Sequence, residues 1–323
     1  MHIPQLIPEL PDLLAKAWDI SRAHCGNTLT VHIPGMFVVN GRRGGFRAVS
    51  ITGSRCDLDC EHCRGLLLRT MPHAQTPEEL LQFGWDAWKR GDHGMLVTGG
   101  CDREGKLPWS SFLPVLRRLK QETALKITIH AGQLDLPAAR KLKEAGIDQA
   151  LVDVIGDDET AREVYHLKQG TATVRKTMDA LSQAGLEIIP HVLFGLHYGR
   201  ELGETAAVDM LKQYPLSQYV VVVLMPARET PMADVSPPAP ERVAAFLARA
   251  RIELPHLRAS LGCARPRGFY RRTLDVLAVR AGVNSLALPS DQGLEEAERM
   301  GLSVVFRETC CSLGLWTPQT RSQ

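Results

Sequence analysis

The 323-residue sequence predicts an α/β fold, a (β/α)₈ barrel of the TIM type. Two observations lead to this prediction. Eight short runs are continuously apolar, which is typical of parallel strands buried on both faces. Amphipathic stretches lie between them and carry helix start and stop signals. Right-handed crossovers would close eight such units into a barrel, whereas a doubly wound open sheet shows the same alternation and is the alternative architecture.

The predicted strands follow one another from residue 46 onward. They are residues 46–52, 94–99, 126–132, 150–156, 187–195, 219–225, 258–263 and 285–289. The first helix between strands has Thr76 as its cap, Pro77 at its first position and Glu79 as capping-box partner. Later helices end on glycines that can adopt the left-handed conformation, Gly146, Gly185, Gly282 and Gly301. The proline-rich stretch 233–242 predicts a loop between the sixth strand and its helix.

The chain is interpreted as a single domain, 1–323, with three parts. Residues 1–45 form an N-terminal lead-in, a helix over PELPDLLAKAWDISRAH followed by a glycine-rich segment. Residues 46–302 form the barrel, and residues 303–323 form a cysteine-bearing C-terminal extension.

Composition narrows the class of protein. Lys+Arg 38 against Asp+Glu 36 gives a net charge of +2, which argues against a dedicated nucleic-acid or membrane-surface binder. No charged-then-apolar leader and no run long enough to span a bilayer is present, so we expect a soluble, cytoplasmic protein. In a reducing compartment its eight cysteines indicate metal binding and not a disulfide framework.

The first cysteine group is Cys56, Cys60 and Cys63, in the loop after the first strand. In a barrel this loop opens on the catalytic face. Three thiolates can hold three irons of a [4Fe–4S] cube and leave the fourth iron open, whereas a ferredoxin run has two-residue gaps and a fourth cysteine. The alternative is structural zinc, with His62 or His73 as the fourth ligand.

A second cysteine group is formed by Cys263, at the end of the seventh strand, and by Cys310 and Cys311 in the extension. The extension can fold across the same mouth, so these thiols are predicted to share an auxiliary cluster, with Ser312 as a displaceable oxygen ligand. The alternative is separate buried thiols that act as small hydrophobes. We adopt that simpler interpretation for Cys25 and Cys101.

The spacing of Cys56, Cys60 and Cys63 after a first barrel strand resembles the hallmark of the radical S-adenosylmethionine (SAM) superfamily. The resemblance extends over the alternating strands and helices from residue 46 to about 290. It implies that the open iron binds the amino and carboxylate groups of SAM. It also implies cleavage of SAM to methionine and a 5′-deoxyadenosyl radical, which abstracts hydrogen from unactivated carbon.

The resemblance also implies a SAM site. Gly99 and Gly100, after the second strand, resemble the glycine pair that contacts the SAM amino group, and His62 stands where the family usually has an aromatic residue beside the adenine. Asp153 ends the fourth strand and could accept hydrogen bonds from the ribose hydroxyls. The turn after the fifth strand is similar to that of biotin and lipoyl synthases, and it places Gly195 and Gly199 near the adenine or ribose. No catalytic role is assigned to the strand-end histidines His130, His191 and His197.

Together the motifs AVSITGSRCDLDCEHCRG, GCARPRGFYRR and CCSLG resemble the biotin-synthase-like branch, most closely one component of the two-protein lipoyl synthases. The resemblance implies insertion of sulfur from an auxiliary cluster into a protein-bound octanoyl chain. The implied partners are a second radical SAM component, an octanoylated lipoyl-carrier protein, and reduced ferredoxin or flavodoxin. Arg265 and Arg267 could pair with an anionic group or, with Arg271 and Arg272, meet an acidic carrier.

Two alternatives stay open. One is another biotin-synthase-like reaction in cofactor assembly, without sulfur insertion. The other is a non-catalytic iron–sulfur electron carrier or sensor, which would change redox state without cleaving SAM.

Overall fold

A parallel sheet of ten strands, surrounded by helices, forms the body of the computed structural model, which describes residues 7–39, 42–314 and 316. Within those residues the strands are β1 (Thr28–His32), β2 (Val38–Val39), β3 (Arg42–Arg43), β4 (Phe46–Ser50), β5 (Gly94–Thr98), β6 (Lys126–His130), β7 (Gln149–Asp153), β8 (Glu187–Phe194), β9 (Gln218–Val223), β10 (Arg258–Leu261), β11 (Ser285–Ala287) and β12 (Ser303–Arg307). The helices are α1 (Leu10–Cys25), α2 (Pro77–Arg90), α3 (Trp109–Glu122), α4 (Leu136–Glu144), α5 (Asp158–Glu163), α6 (Thr171–Gln183), α7 (Glu204–Leu211), α8 (Pro240–Glu253), α9 (Phe269–Arg280) and α10 (Asp291–Arg299). No described helix is long and apolar enough to cross a membrane.

The eight predicted strands are β4 to β11, and they lie side by side in chain order. A doubly wound sheet would reverse its strand order at a switch point, so the consecutive order confirms the barrel-type α/β fold. The sheet curls until its edges approach: Gly45 N–H, just before β4, donates to the Glu308 carbonyl, just after β12, at 3.0 Å.

Two further strands extend the sheet beyond the eight that were predicted. β1 comes from the N-terminal lead-in and pairs with β11, and β12 comes from the C-terminal extension and pairs with β1. Both segments were expected to lie outside the sheet. The observed sheet therefore has two strands more than predicted. They come from the N-terminal and C-terminal parts of the chain, and no local sequence pattern predicts that they pair.

Side chains of the strands alternate between the helix-covered outer face and the concave inner face, as the two-residue period of a strand requires. On β9, Tyr219 and Val221 belong to the large outer core, while Val220 and Val222 belong to a smaller inner cluster. Cys311 packs in that inner cluster. The C-terminal extension therefore fills part of the concave face.

Helix ends follow the sequence signals. The Thr76 hydroxyl accepts from Glu79 N–H, and the Glu79 carboxylate accepts from Thr76 N–H, which completes the predicted capping box. Each of the four predicted helix-ending glycines has a positive φ, at Gly146, Gly185, Gly282 and Gly301. The stretch 233–242 lies in the β9–α8 connection as far as residue 239, as predicted, whereas residues 240–242 already form the first turn of α8.

Candidate active site at the carboxyl ends of the strands

The first cysteine loop is a compact turn after β4. Its backbone closes on itself, because the N–H groups of Cys63 and Arg64 both donate to the Cys60 carbonyl, at 3.0 and 2.9 Å. Glu61 N–H donates to the Val164 carbonyl at 2.9 Å, which ties the loop to the end of α5. Burial raises the pKa of both the Cys60 and Cys63 thiols, and the neighbouring cysteines raise it further.

The thiols of this loop are too far apart for a single ion. Among the described residues, the group of His, Cys, Asp and Glu whose ligand atoms all lie within 4.8 Å is Glu159, Glu163 and His197, and it includes no cysteine. A tetrahedral zinc would hold its thiolates about 3.8 Å apart. The proposed fourth ligand His73 is engaged elsewhere, with Nε2 3.0 Å from the Leu68 carbonyl. The donor set and its spacing fit a [4Fe–4S] cluster, whose thiolates bind separate irons.

The glycine pair after β5 allows this strand to end directly against the cysteine loop. A Cβ on Gly100 would lie 2.0 Å from the Arg55 carbonyl oxygen and 2.5 Å from the Cys56 Cβ. The Gly100 N–H donates to Thr52 Oγ1 at 2.6 Å. The structure therefore gives this glycine a role in seating the loop, in addition to the SAM contact that the resemblance implies.

Cys101 lies beside the first cysteine group, although its sequence position suggested a separate buried thiol. Its carbonyl accepts the N–H groups of Asp57 and Leu58 at 2.7 and 3.2 Å. Burial, followed by the charge of Cys56, raises the pKa of its thiol. That interpretation is thus wrong in one respect: the thiol is not separate. The signal was its place directly after a strand, because such residues gather at the same mouth.

Asp153 occupies the centre of the site. It is exposed at the carboxyl end of β7 and accepts a 2.8 Å hydrogen bond from the Tyr165 hydroxyl. Burial lowers the pKa of His62 and His191 to about 4 each, and the Asp153 carboxylate opposes that shift in both. Burial also lowers the pKa of His130. All three histidines are therefore neutral at pH 7.

His62 presents an apolar face to the site. Its ring lies 5.1 Å from that of Tyr165, and its Nδ1 is buried without a hydrogen-bond partner among the described residues. A neutral imidazole packed on a phenol ring can stack on a further planar group. This geometry suits the adenine contact implied for His62.

The turn after β8 is organised by Glu204, which the sequence analysis did not single out. The buried carboxylate accepts the N–H groups of Gly195, Leu202 and Gly203 at 2.7, 2.8 and 3.1 Å. Gly195 has φ +75°, and a Cβ there would lie 2.1 Å from Pro238 Cγ. An acidic residue at the first position of α7 was the available signal, since helix N-termini favour negative charge.

The second cysteine group comes together on the concave face. Cys263 and Cys310 pack against the inner cluster that contains Cys311. The Cys310 and Cys311 thiols interact, which lowers the pKa of Cys310 and raises that of Cys311. Burial raises the pKa of Cys263 to about 11. The buried Ser312 hydroxyl lies next to the Cys310 thiol and also lowers the pKa of Cys310.

Arg265 is a structural residue, and its expected role toward a substrate or partner is wrong. Its guanidinium is 0% exposed and forms an ion pair with Asp275 at 2.9 Å. It also donates to the carbonyls of Gly262 and Ala287 at 2.5 and 2.8 Å. Arg267, by contrast, is exposed. The chain thus uses Arg265 to hold the Cys263 loop against β11.

Cys25 lies apart from both groups, between the end of α1 and the start of β10. Its Sγ is 3.9 Å from the carbonyl oxygens of Pro255 and Leu257 and 3.6 Å from the Arg251 guanidinium. All eight cysteines are free thiols.

Comparison with known families agrees with this geometry. The model of the radical SAM superfamily matches residues 50–211, half of the chain, from the end of β4 to the end of α7. The chain therefore belongs to the radical SAM superfamily. A [4Fe–4S] cluster and SAM are the cofactors that membership implies, and the residues around Cys56, Cys60 and Cys63 fit them.

Similar proteins define the branch of the superfamily to which the chain belongs. Biotin synthase of Acinetobacter baumannii (strain ATCC 17978) is 30% identical over 289 residues, covering 85% of this chain and 80% of the relative. Biotin synthase of Acetivibrio thermocellus is 26% identical over 241 residues, covering 70% and 72%. Within the superfamily, the chain belongs to the biotin-synthase-like branch.

Solved structures show the same fold. Methylornithine synthase (PylB) aligns with 94% of this chain and 91% of its own, at TM-score 0.62 and 17% identity. HydG, a maturase of the [FeFe]-hydrogenase, aligns with 88% of this chain at TM-score 0.65 and 16% identity, and this chain covers 62% of its length.

Proposed function

We propose that this radical SAM enzyme inserts sulfur into a protein-bound octanoyl chain, as one component of a two-protein lipoyl synthase. The observation that carries the proposal is the second group of three thiols, Cys263, Cys310 and Cys311, on the concave face of the sheet that also bears the first cysteine loop. A radical SAM enzyme needs one cysteine group for its cluster, so the second requires a purpose of its own.

Two sets of residues would hold the two clusters. Cys56, Cys60 and Cys63 would bind the first, with Gly99, Gly100, His62, Asp153 and Gly195 around SAM. Cys263, Cys310 and Cys311 would bind the auxiliary cluster. When bound, the first cluster with SAM supplies the radical that removes hydrogen from C6 or C8, and the auxiliary cluster supplies the sulfur.

The surroundings of the second group suit an aliphatic substrate. Leu96, Leu193 and Val222 pack in the same inner cluster as the thiols. A saturated acyl chain would bury its methylene groups there, each worth about 0.8 kcal/mol. The buried Ser312 hydroxyl, which lies next to the Cys310 thiol, could act as a displaceable oxygen ligand.

The carrier protein would dock at the exposed arginines near α9. Arg267 and Arg272 are exposed, and the Arg272 guanidinium lies over the exposed Phe269 ring at 5.9 Å. A basic rim around an exposed aromatic residue complements an acidic carrier surface. The proposal further includes a second radical SAM component, reduced ferredoxin or flavodoxin as electron donor, and a reducing compartment such as the cytoplasm.

Counting iron and sulfide after anaerobic reconstitution tests the proposal. The parent chain should contain about eight irons, and a variant with Cys263, Cys310 and Cys311 all changed to alanine about four. Cys25→Ala, which removes a thiol distant from both groups, should match the parent. About four irons in the parent would remove the auxiliary cluster and the sulfur-insertion proposal with it.

The same proteins distinguish the alternatives. Reductant-dependent release of 5′-deoxyadenosine from SAM by the triple variant would show that the first cluster works alone, which an electron carrier or sensor would not do. Sulfur gained by an octanoylated carrier peptide, measured by mass spectrometry with the parent and lost with the triple variant, would support the lipoyl assignment. SAM cleavage without sulfur gain by the parent would favour a biotin-synthase-like reaction of another kind.

A further inference from the structure

The fold brings a fourth thiol to the first cysteine group. Cys101 follows β5 and lies 38 residues beyond Cys63 in the chain. Nevertheless its backbone lies against the loop, because a Cβ on the preceding Gly100 would lie 2.5 Å from the Cys56 Cβ. The loop itself supplies three cysteine ligands and would leave one iron open, yet Cys101 beside it is a further candidate ligand.

The backbone of Cys101 is fixed to the loop on both sides. Its carbonyl accepts two N–H groups from the loop, those of Asp57 and Leu58. The preceding Gly100 packs so closely that a Cβ would overlap the Arg55 carbonyl. The thiol therefore moves with the cysteine loop as one unit, and its position relative to Cys56 is set by short backbone contacts.

The Cys101 thiol is available to bind a metal. Among the described residues Cys101 Sγ has no hydrogen-bond partner, and the side chain is only half-buried. Cys25 offers the contrast, since its Sγ approaches two carbonyl oxygens and a guanidinium. No three of the four sulfurs around the loop lie within 4.8 Å of one another, which suits ligands on separate irons better than one shared ion.

We propose that Cys101 binds the fourth iron of the first cluster when SAM is absent, and that SAM displaces it. The thiol releases its proton on binding iron and takes one up when SAM replaces it, so the exchange needs no oxidant or reductant. The resting cluster would be closed by four thiolates and protected from iron loss. The fourth iron would lose its Cys101 ligand only when SAM binds to it. This inference rests on membership of the radical SAM superfamily and is independent of the sulfur-insertion proposal.

Mild oxidation of the cluster tests the inference without using catalysis. An open iron is lost on oxidation by ferricyanide, which leaves a [3Fe–4S] cluster with a distinctive electron paramagnetic resonance signal. In the absence of SAM, Cys101→Ala should give a several-fold larger [3Fe–4S] signal than the parent. Cys25→Ala should match the parent, and saturating SAM should suppress the signal in all three proteins.

Affinity for SAM supplies a second readout. Because SAM no longer competes with a thiolate, Cys101→Ala should bind SAM several-fold more tightly than the parent, and Cys25→Ala should not. Equal [3Fe–4S] yields and equal SAM affinities in Cys101→Ala and the parent would overturn the inference.

The variants must start with the same iron content, measured before oxidation, so that a folding defect is recognised. If the iron of Cys101→Ala is low, Cys101→Val, which fills a similar volume without a ligand atom, replaces it in the same comparison. Repeating the measurement in the Cys263, Cys310 and Cys311 triple-alanine background removes any auxiliary-cluster signal. The result there is the same whether or not the chain inserts sulfur.

Discussion

At the scale of single residues, Gly100 controls how closely β5 can end against the cysteine loop. Its Cβ would lie 2.0 Å from the Arg55 carbonyl oxygen, whereas a Cβ on Gly99 would meet Thr52 Oγ1 at 3.0 Å, a side-chain contact that can adjust. We therefore expect Gly100→Ala to displace Cys56 and to lose most of the about four irons of the first cluster on reconstitution. Gly99→Ala should keep most of them. Iron analysis beside far-ultraviolet circular dichroism checks this. Full iron content in Gly100→Ala would contradict it.

Arg265 illustrates a residue whose charge serves the fold. With Asp275 fully buried and also accepting Ser290 N–H at 2.7 Å, removal of the guanidinium leaves a buried carboxylate without its cation. Arg265→Leu should lower the free energy of unfolding by about 3–5 kcal/mol. Urea unfolding measures this. Arg267→Ala, at an exposed position, should change it by less than about 0.5 kcal/mol, and an equal effect of both would contradict the assignment.

At the scale of elements, α2 depends on its capping box. Thr76 Oγ1 satisfies Glu79 N–H, one of the four donors that a helix start leaves unpaired. Thr76→Ala should destabilise the protein by about 1 kcal/mol, and Thr76→Ser, which keeps the hydroxyl, by a few tenths at most. Thermal unfolding of the two variants side by side is the measurement. A loss that is the same for both would assign the effect to the lost methyl group instead.

Elements were predictable wherever their signal is local. The strands β4 to β11 are apolar runs bounded by helix caps, and periodicity suffices to find them. β12 escaped prediction because it is an edge strand whose residues are mostly exposed or half-buried, so it lacks the apolar run. Its partner β1 is more than 270 residues away in the chain, and such a pairing follows from the packing of the whole sheet.

Site residues divided in the same way. Cys56, Cys60 and Cys63 are recognisable because their spacing is a local property of the chain. Cys101 was missed because it contacts a distant segment, the cysteine loop. Glu204 was missed although its partners are local, because an acidic residue at a helix start is common and does not by itself indicate a buried carboxylate. Arg265 was misassigned because its burial depends on Asp275 and the end of β11, neither of which the CARPRG motif contains.

At the scale of the whole molecule, the end of β1 meets the segment that follows β12. His32, at the end of β1, bonds through Nδ1 to Thr309 Oγ1 at 2.9 Å, immediately before Cys310. The side-chain amide of Gln218, at the start of β9, donates to the Ser312 carbonyl and so holds the same extension at a second point. The segment that carries Cys310 and Cys311 is therefore held by the first and ninth strands together.

This junction makes the stability of the molecule depend on pH. Burial, followed by the charges of Arg307 and Arg258, lowers the pKa of His32 from 6.5 to about 3. The unfolded chain therefore binds more protons than the folded chain between about pH 6.5 and 3. The stabilisation is fully present above pH 6.5 and is lost as the pH falls through that window, by about 2 kcal/mol at pH 5.

His32→Gln isolates this contribution, because the amide can still bond to Thr309 but does not titrate. Between pH 7.5 and 5, the variant should lose about 2 kcal/mol less unfolding free energy than the parent in urea titrations under reducing conditions. Buried histidines such as His191 titrate in both proteins, so their effect cancels in the difference. An identical pH dependence in the two proteins would contradict the lowered pKa of His32 in the folded chain.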